Sequence, residues 1–217
     1  MRLRHRLRHL LLASWETDAQ RVARVLPAGL RPATVEGRHL VTVAAMRWAG
    51  ARLGGLPLPP FSQLNVRLYV RPANGSETAV FFRIIRVTPL GLGGALLGVP
   101  VRPARLRVRE GLVEAQGLGL RLDYERRGPT DPGDLARHEL GLFEAAGVRG
   151  FRVIRGAASW ERAELTVPAR VDPVLALGFE AGEPASVFYA GGASFEAELP
   201  ARALPGGPSS SATRTAR

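Results

Sequence analysis

The chain has 217 residues, of which 46% are hydrophobic and 23% are charged, and this balance is typical of a folded globular protein rather than a disordered one. It contains no cysteine, which excludes disulfides and thiolate chemistry, and all 30 of its basic residues are arginine. Because lysine is absent, no side chain can form an imine with a carbonyl substrate or with pyridoxal phosphate. The formal net charge of +11 favours an anionic partner.

The first half of the chain begins with a short predicted helix over residues 18–26, which has Asp18 as its N-cap and is closed by Pro27. Apolar and β-branched runs then predict strands at residues 38–48, 63–70 and 79–88. Asn74-Gly75 separates the last two strands and predicts a β-hairpin, because both positions tolerate positive φ.

The second half predicts further strands at residues 104–110, 112–125, 150–156, 158–167, 185–190 and 193–199. The last two strands are expected to be joined by a turn around Gly191-Gly192. Residues 91–98 are rich in glycine and predict a loop or an unstable helix. A second helix is predicted over residues 134–147, because one helical stripe collects Leu135, His138, Leu142, Phe143 and Ala146.

This order of elements predicts one mainly β (α+β) domain over residues 1–204, an antiparallel sheet closed as a barrel or folded as a sandwich with two flanking helices. Residues 205–217 predict a disordered basic tail, because they offer almost nothing to bury. No run approaches the ~20 apolar residues of a membrane span, and the apolar stretch after the first arginines is too short for a signal peptide. We therefore expect a cytoplasmic protein without membrane contact.

The strand at residues 63–70 separates its side chains into an apolar face and a polar face. The apolar face holds Leu64, Val66, Leu68 and Val70, and the polar row holds Gln63, Asn65, Arg67 and Tyr69. Two amides, a guanidinium and a phenol suit a carboxylate, because arginine binds such groups through paired donors. Periodicity alone leaves two interpretations, a row lining a barrel interior or the solvated face of an amphipathic strand.

Other chemistry has little support in the residues. The four histidines lack metal-ligand spacing, and neither a phosphate-binding loop nor a GxSxG elbow is present, so we predict no metal site, no cofactor and no assignable catalytic residue. Arginines are concentrated at residues 2–8 and 102–109, and the alternation in RLRVRE (105–110) is typical of a solvated strand face. A basic surface that binds nucleic acid, or a partner protein, without catalysis is the alternative function.

In this order, the features resemble uncharacterised domain family 2071 of the acetoacetate decarboxylase-like superfamily. The resemblance rests on VLPAGLRPATVEG (25–37), QLNVRLYV after a Pro-rich break, GVPV (98–101), WERAEL (160–165) and SVFYAGGASFEAEL (186–199). It implies a cone-like antiparallel β-barrel with an internal small-molecule pocket. It therefore favours the interpretation that the polar row lines that pocket.

The resemblance also has gaps. The superfamily's imine-forming lysine would follow Gly98-Val99-Pro100, where this chain has Val101, so lysine-dependent decarboxylation is not expected. The family commonly has a glutamate where this chain has Gln63, and histidines near the positions of Ala157 and Phe188. Five family positions do match: Asn65, Arg67, Tyr69, Trp160 and Tyr189.

The family positions that match thus favour ligand recognition over acid–base catalysis. The sequence predicts a protein that binds a small anionic or carboxylate metabolite, and it leaves open whether any enzymatic activity accompanies binding. Its predicted ligand-binding residues are Gln63, Asn65, Arg67, Tyr69, Trp160 and Tyr189.

Overall fold

A computed structural model describes residues 2–53, 55–145, 147–170, 182–198 and 202–203. The predicted tail at 205–217 lies outside these residues, as does Ala146 of the predicted helical stripe. The strands within the described residues are β1 (Arg2–Glu16), β2 (Leu30–Pro32), β3 (Leu40–Leu53), β4 (Leu56–Pro57), β5 (Phe61–Pro72), β6 (Ala79–Val87), β7 (Val101–Pro103), β8 (Arg105–Arg109), β9 (Leu112–Gln116), β10 (Leu120–Pro129), β11 (Leu140–Ala145), β12 (Gly147–Leu165), β13 (Ser186–Glu198) and β14 (Arg202–Ala203).

Seven of these strands close into a ring. In the order β11, β6, β5, β3, β1, β13, β12, each strand is hydrogen-bonded to the next, and β12 pairs back onto β11. The contacts are antiparallel except between β6 and β11. Because β12 extends well beyond its partner β11, its far end also pairs with β10, which continues the sheet through β9 to β8. This closure positions an interior space between the seven strands.

The ladder β8–β10 covers one outer side of the ring. Apolar side chains from β1, β3 and β5 form a continuous core with those of β8, β9 and β10. Leu64, Val66, Leu68 and Val70 all belong to it and are completely buried. Strand β5 is therefore covered on both faces, by this outer core and by the ring interior, so its polar row does not face bulk water.

Several predicted elements form where expected. Helix α1 (Ala19–Val25) begins after Asp18, whose Oδ1 accepts a hydrogen bond from the backbone N–H of Arg21 at 2.7 Å. Strands β5 and β6 pair antiparallel across the connection that contains Asn74-Gly75, which confirms the hairpin. The glycine-rich segment is a 3-10 helix, Pro89–Leu97. No helix within the described residues is both long and apolar enough to cross a membrane.

The second predicted helix, over residues 134–147, is wrong. The segment contains a short 3-10 helix, Gly133–Ala136, followed by strand β11. Leu142 joins the outer core, and its neighbour Phe143 is buried as well, because β11 is covered on both sides. A doubly covered strand loses its period-two pattern and here imitates a helical stripe. The described part of the chain therefore has one α-helix rather than two.

Two predicted strand boundaries also need correction. The expected turn at Gly191-Gly192 is absent, because β13 runs straight through and pairs with both β1 and β12. On the neighbouring strand β1 a bulge lies opposite this point, where His9 adopts a φ of 51°. The two strands predicted at 150–156 and 158–167 are one long strand, β12, interrupted only by bulges, and the single strand predicted at 112–125 is instead the β9–β10 hairpin.

Candidate functional site

A cavity of about 350 Å³ lies inside the ring, a volume within the range of small-molecule sites. Its walls are mostly leucine, valine and aromatic side chains from β1, β3, β5, β6, β7 and β12. Gly141 also lines it, and a Cβ at this position would lie only 2.8 Å from ring atoms of Phe82 and Phe151. The few polar groups in the lining include Gln63, Asn65 and Arg67 of the predicted row.

Arg67 supplies the cationic group of the cavity. It lies opposite Thr42 of β3 and Phe82 of β6, next to a bulge in β6, and its guanidinium carbon is 5.5 Å from the Phe82 ring centroid. Burial lowers the pKa of the Arg67 guanidinium, while the nearby Tyr69 acts weakly in the other direction. Among the described residues, no carboxylate forms an ion pair with Arg67, and its Nε has no hydrogen-bond partner. A cation in this position is costly unless an anion joins it.

Two amides continue the polar row from Arg67 along β5. The Gln63 Nε2 donates a hydrogen bond to Asn65 Oδ1 at 2.8 Å, and the Asn65 side chain is buried. Because alternate residues of a strand share a face, both amides lie on the Arg67 side of β5. The row therefore offers neutral hydrogen-bonding groups beside one positive charge.

A stack of aromatic rings forms another wall of the cavity. The His5 ring centroid is 4.0 Å from that of Trp48, and the Trp48 centroid is 4.9 Å from that of Phe61. Phe195 extends the stack, with its ring centroid 5.6 Å from that of His5. Burial lowers the pKa of His5 to about 4, against a weaker effect of the Leu3 backbone, so its imidazole is neutral at physiological pH.

Sequence reasoning missed His5 as a cavity residue. His5 lies within the arginine-rich segment at residues 2–8, for which no strand is predicted. In the structure Leu3, His5 and Leu7 alternate there with exposed arginines. That period of two is itself the signature of a half-buried strand and was the signal that could have found it. Trp160, by contrast, was predicted and does line the cavity from β12.

Tyr69 does not line the cavity but lies next to its Arg67 end, which we call the deep end. Its side chain is buried in a cluster with Val35, Leu40, Val80 and Leu135. The Tyr69 hydroxyl is 3.2 Å from Thr42 Oγ1, which is 2.8 Å from Ser14 Oγ, and these three groups form a buried chain of hydroxyls. The structure therefore gives Tyr69 a role in closing the deep end of the interior.

Replacing Tyr69 by phenylalanine should test this role. The variant keeps the ring but removes one hydroxyl from the buried chain, so we expect the free energy of unfolding to fall by about 1 kcal/mol. Urea unfolding of the wild type and Y69F measures the difference. A loss within experimental error would show that the hydroxyl chain does not stabilise the deep end.

Tyr189 lies on the opposite face of the ring wall. Its hydroxyl is 3.0 Å from Nδ1 of His9, and its ring centroid is 5.6 Å from that of Tyr124. The guanidinium of Arg126 lies 5.5 Å from the same ring centroid and is paired with Glu161 at 2.7 Å. The structure thus brings Gln63, Asn65, Arg67 and Trp160 together in the cavity and leaves Tyr69 and Tyr189 outside its lining.

The remaining predicted features can also be placed. Val101, at the position where the superfamily's imine-forming lysine would fall, lies in β7 and contributes an apolar surface to the cavity. Within the described parts of the chain, no three histidine or acidic residues are grouped closely enough to hold a metal ion. The arginines of β1 are exposed, and Arg2 and Arg4 pair with Glu198 and Glu196 of β13.

Comparison with known proteins places this geometry in context. Residues 4–150 match domain family 2071, described as an uncharacterized conserved protein. An acetoacetate decarboxylase-like enzyme from Sphingomonas wittichii is similar in structure, with a TM-score of 0.62, 16% identity and coverage of 93% of this chain and 92% of that one. Acetoacetate decarboxylase from Legionella pneumophila gives a TM-score of 0.62 and 14% identity, over 93% of this chain and 87% of that one.

A third similar structure is the enduracididine biosynthesis enzyme MppR complexed with pyruvate, with a TM-score of 0.58 and 13% identity over 91% of this chain and 90% of that one. No curated protein matches the chain significantly. These likenesses confirm the mainly β, acetoacetate decarboxylase-like fold that the sequence predicted. At such low identity they establish the fold alone.

Proposed function

We propose that the internal cavity of this protein binds a small carboxylate. The chain belongs to domain family 2071, a family of uncharacterized conserved proteins. In this proposal Arg67 holds the carboxylate, and the amides of Gln63 and Asn65 supply neutral hydrogen bonds beside it. Trp160 contributes apolar surface to the same cavity.

The observation that carries the proposal is the state of Arg67. Its side chain is half-buried and lines the cavity, and among the described residues it has no acidic partner. Leaving a cation in a poorly solvated position costs free energy that a bound anion recovers. Arginine also matches the planar geometry of a carboxylate better than any other side chain does. The pyruvate complex of MppR, a protein with the same fold, supports a carboxylate as the ligand.

A ligand in this cavity cannot form an imine with a side-chain amine. All 30 basic residues are arginine, and Val101 stands where the superfamily's lysine is expected. The site therefore offers stabilisation of negative charge but no side-chain amine for an imine. Recognition of an anionic metabolite is the function that these groups support best.

Calorimetric titration and thermal unfolding with a panel of carboxylates test the proposal. The panel includes pyruvate, acetoacetate and hexanoate, each compared with its uncharged amide. We expect carboxylates to raise the melting temperature of the wild type, because a ligand that binds only the folded state stabilises it. For R67M we expect affinity to fall about 10- to 100-fold, the range for a hydrogen bond to a charged group.

Arg71 provides a matched control, because it lies on the same strand but is exposed at the surface. R71M should bind every carboxylate of the panel as tightly as the wild type does. If carboxylates shift neither the wild type nor R71M, or if R67M binds them equally well, the cavity is not a carboxylate site.

A further inference from the structure

The cavity has a direction, which is set by strand β5. Arg67 and Phe61 both line it and are six residues apart, so their Cα atoms are separated by about 20 Å in an extended strand. Gln63 and Asn65 lie between them on the same face. Polarity therefore decreases along the strand from the guanidinium toward the aromatic stack.

The Arg67 end of the cavity is closed. Beyond it, Tyr69 packs with Val35, Leu40, Val80 and Leu135 in a buried cluster that also contacts Phe82. The hydroxyl chain through Tyr69, Thr42 and Ser14 ties three neighbouring strands together at this level. A ligand therefore cannot extend past the guanidinium in this direction.

The Phe61 end reaches the surface through an apolar rim. Leu90 lines the cavity from the 3-10 helix and is 62% exposed, and Leu58 of the β4–β5 connection is half-buried. The 3-10 helix is held tightly against this end, since a Cβ on Gly91 would lie 2.6 Å from the Phe61 ring. Leu3, Leu53 and Ala197 complete the wall around the same end.

The charged groups of the cavity reinforce this asymmetry. No aspartate or glutamate among the described residues lines it, and His5 near the rim is neutral at physiological pH. The other lining histidine, His138, lies at the opposite end, where its ring centroid is 5.2 Å from that of Tyr69. A ligand with charge at both ends would leave its second charge against leucine and aromatic carbon, which is costly. The shape and polarity thus fit a molecule with one anionic end and one apolar end.

We infer that the ligand is an amphipathic monocarboxylate, an unbranched carboxylic acid whose carboxylate meets Arg67 and whose apolar chain extends along the aromatic stack to the Leu58–Leu90 rim. This inference rests on the proposed function and narrows it. It differs from a site for a short keto acid, because most of the contact area is supplied by the chain rather than by the carboxylate end.

A series of straight-chain acids from four to twelve carbons, titrated into the full-length protein by calorimetry, tests the inference. Each methylene buried in the cavity should tighten binding about fourfold, corresponding to the ~0.8 kcal/mol of one buried CH₂. The gain should end once the chain reaches the rim. Straight-chain alcohols of equal length should bind about 10- to 100-fold more weakly, because they lack the charge for Arg67.

Two variants near the rim locate the chain. L53W adds volume at the end remote from Arg67 and should shift the tightest-binding acid to a shorter chain, while short acids keep their affinity. L58W makes the same test from the β4–β5 connection. If either variant fails to fold, the chain-length dependence of affinity in the wild type still tests the inference.

The outcomes separate this inference from the proposed function. If affinity stays flat with chain length while R67M still weakens binding about 10- to 100-fold, the site takes small carboxylates and the amphipathic inference is wrong. If no acid of the series binds the wild type but pyruvate or acetoacetate does, the amphipathic inference is wrong and the proposed function stands. If none of these carboxylates binds, both are wrong. A rising series that L53W truncates would support both.

Discussion

R67M is expected to be more stable than the wild type by about 1 to 4 kcal/mol in the absence of ligand. That is the range found when buried ion pairs are replaced by apolar side chains of similar volume, and we use it as the scale for an arginine that lacks such a partner. In this protein the guanidinium lines a cavity, is poorly solvated, and has no acidic partner among the described residues. Methionine keeps an unbranched apolar side chain beside Phe82 while removing the uncompensated charge.

Urea unfolding at neutral pH measures this effect, and R71M again serves as the control. Because Arg71 is exposed, its replacement should change the free energy of unfolding by less than about 0.5 kcal/mol. A gain in stability together with lost carboxylate binding is the signature of a group retained for function at the expense of the fold. A loss of stability in R67M would instead assign Arg67 a structural role and remove the main support for the proposed function.

The sequence predicts β5 well because its alternating residues indicate both the strand itself and the side chains that share each of its faces. Its strict alternation assigns Leu64 and Leu68 to one face and Arg67 to the other, and the structure places these faces in the outer core and the cavity. Periodicity could not decide whether the polar face was wet, since that depends on closure of the ring by strands distant in the chain. The family resemblance supplied that part of the prediction.

The wrong helix prediction over residues 134–147 has its physical origin in the burial of a strand on both sides. Leu142 and Phe143 are adjacent and both completely buried, so β11 shows no alternation and was predicted as a helix. Residues of β13 pack on both of its faces, with Tyr189 in the outer core and Ala190 in a second cluster, so the sequence motif alone could not tell which face Tyr189 joins. Gly191-Gly192 predicted a turn, although in the structure these glycines continue β13 opposite a bulge of β1.

His5 connects the fold to the character of the cavity. Its ring is stacked between Trp48 and Phe195, and its side chain is buried at the apolar end of the interior. Arg67 is the arginine among the described lining residues, and the second lining imidazole, His138, lies at the Arg67 end with its ring centroid 5.2 Å from that of Tyr69. Protonation of His5 would place a second cation where the apolar chain of the ligand is inferred to lie.

The burial of His5 predicts a specific dependence of stability on pH. In the unfolded chain this imidazole takes up a proton near its ordinary pKa of 6.5, whereas in the folded protein it does so only near 4. Between these values the unfolded state binds more protons, so stability falls as the pH falls from about 6.5 to 4. At about 1.4 kcal/mol for each pKa unit, the loss due to His5 is about 3 kcal/mol.

H5F isolates this contribution, because phenylalanine keeps a ring in the stack and cannot take up a proton. Relative to the wild type, the free energy of unfolding of H5F should therefore rise by about 3 kcal/mol between pH 6.5 and pH 4, whatever the difference at neutral pH. F195L alters the same stack but retains His5, so it should follow the wild-type pH profile. Parallel profiles for H5F and the wild type, or an NMR titration of His5 Cε1–H with a midpoint near 6.5, would show that this imidazole is solvated and that the rim end of the cavity is not an apolar environment.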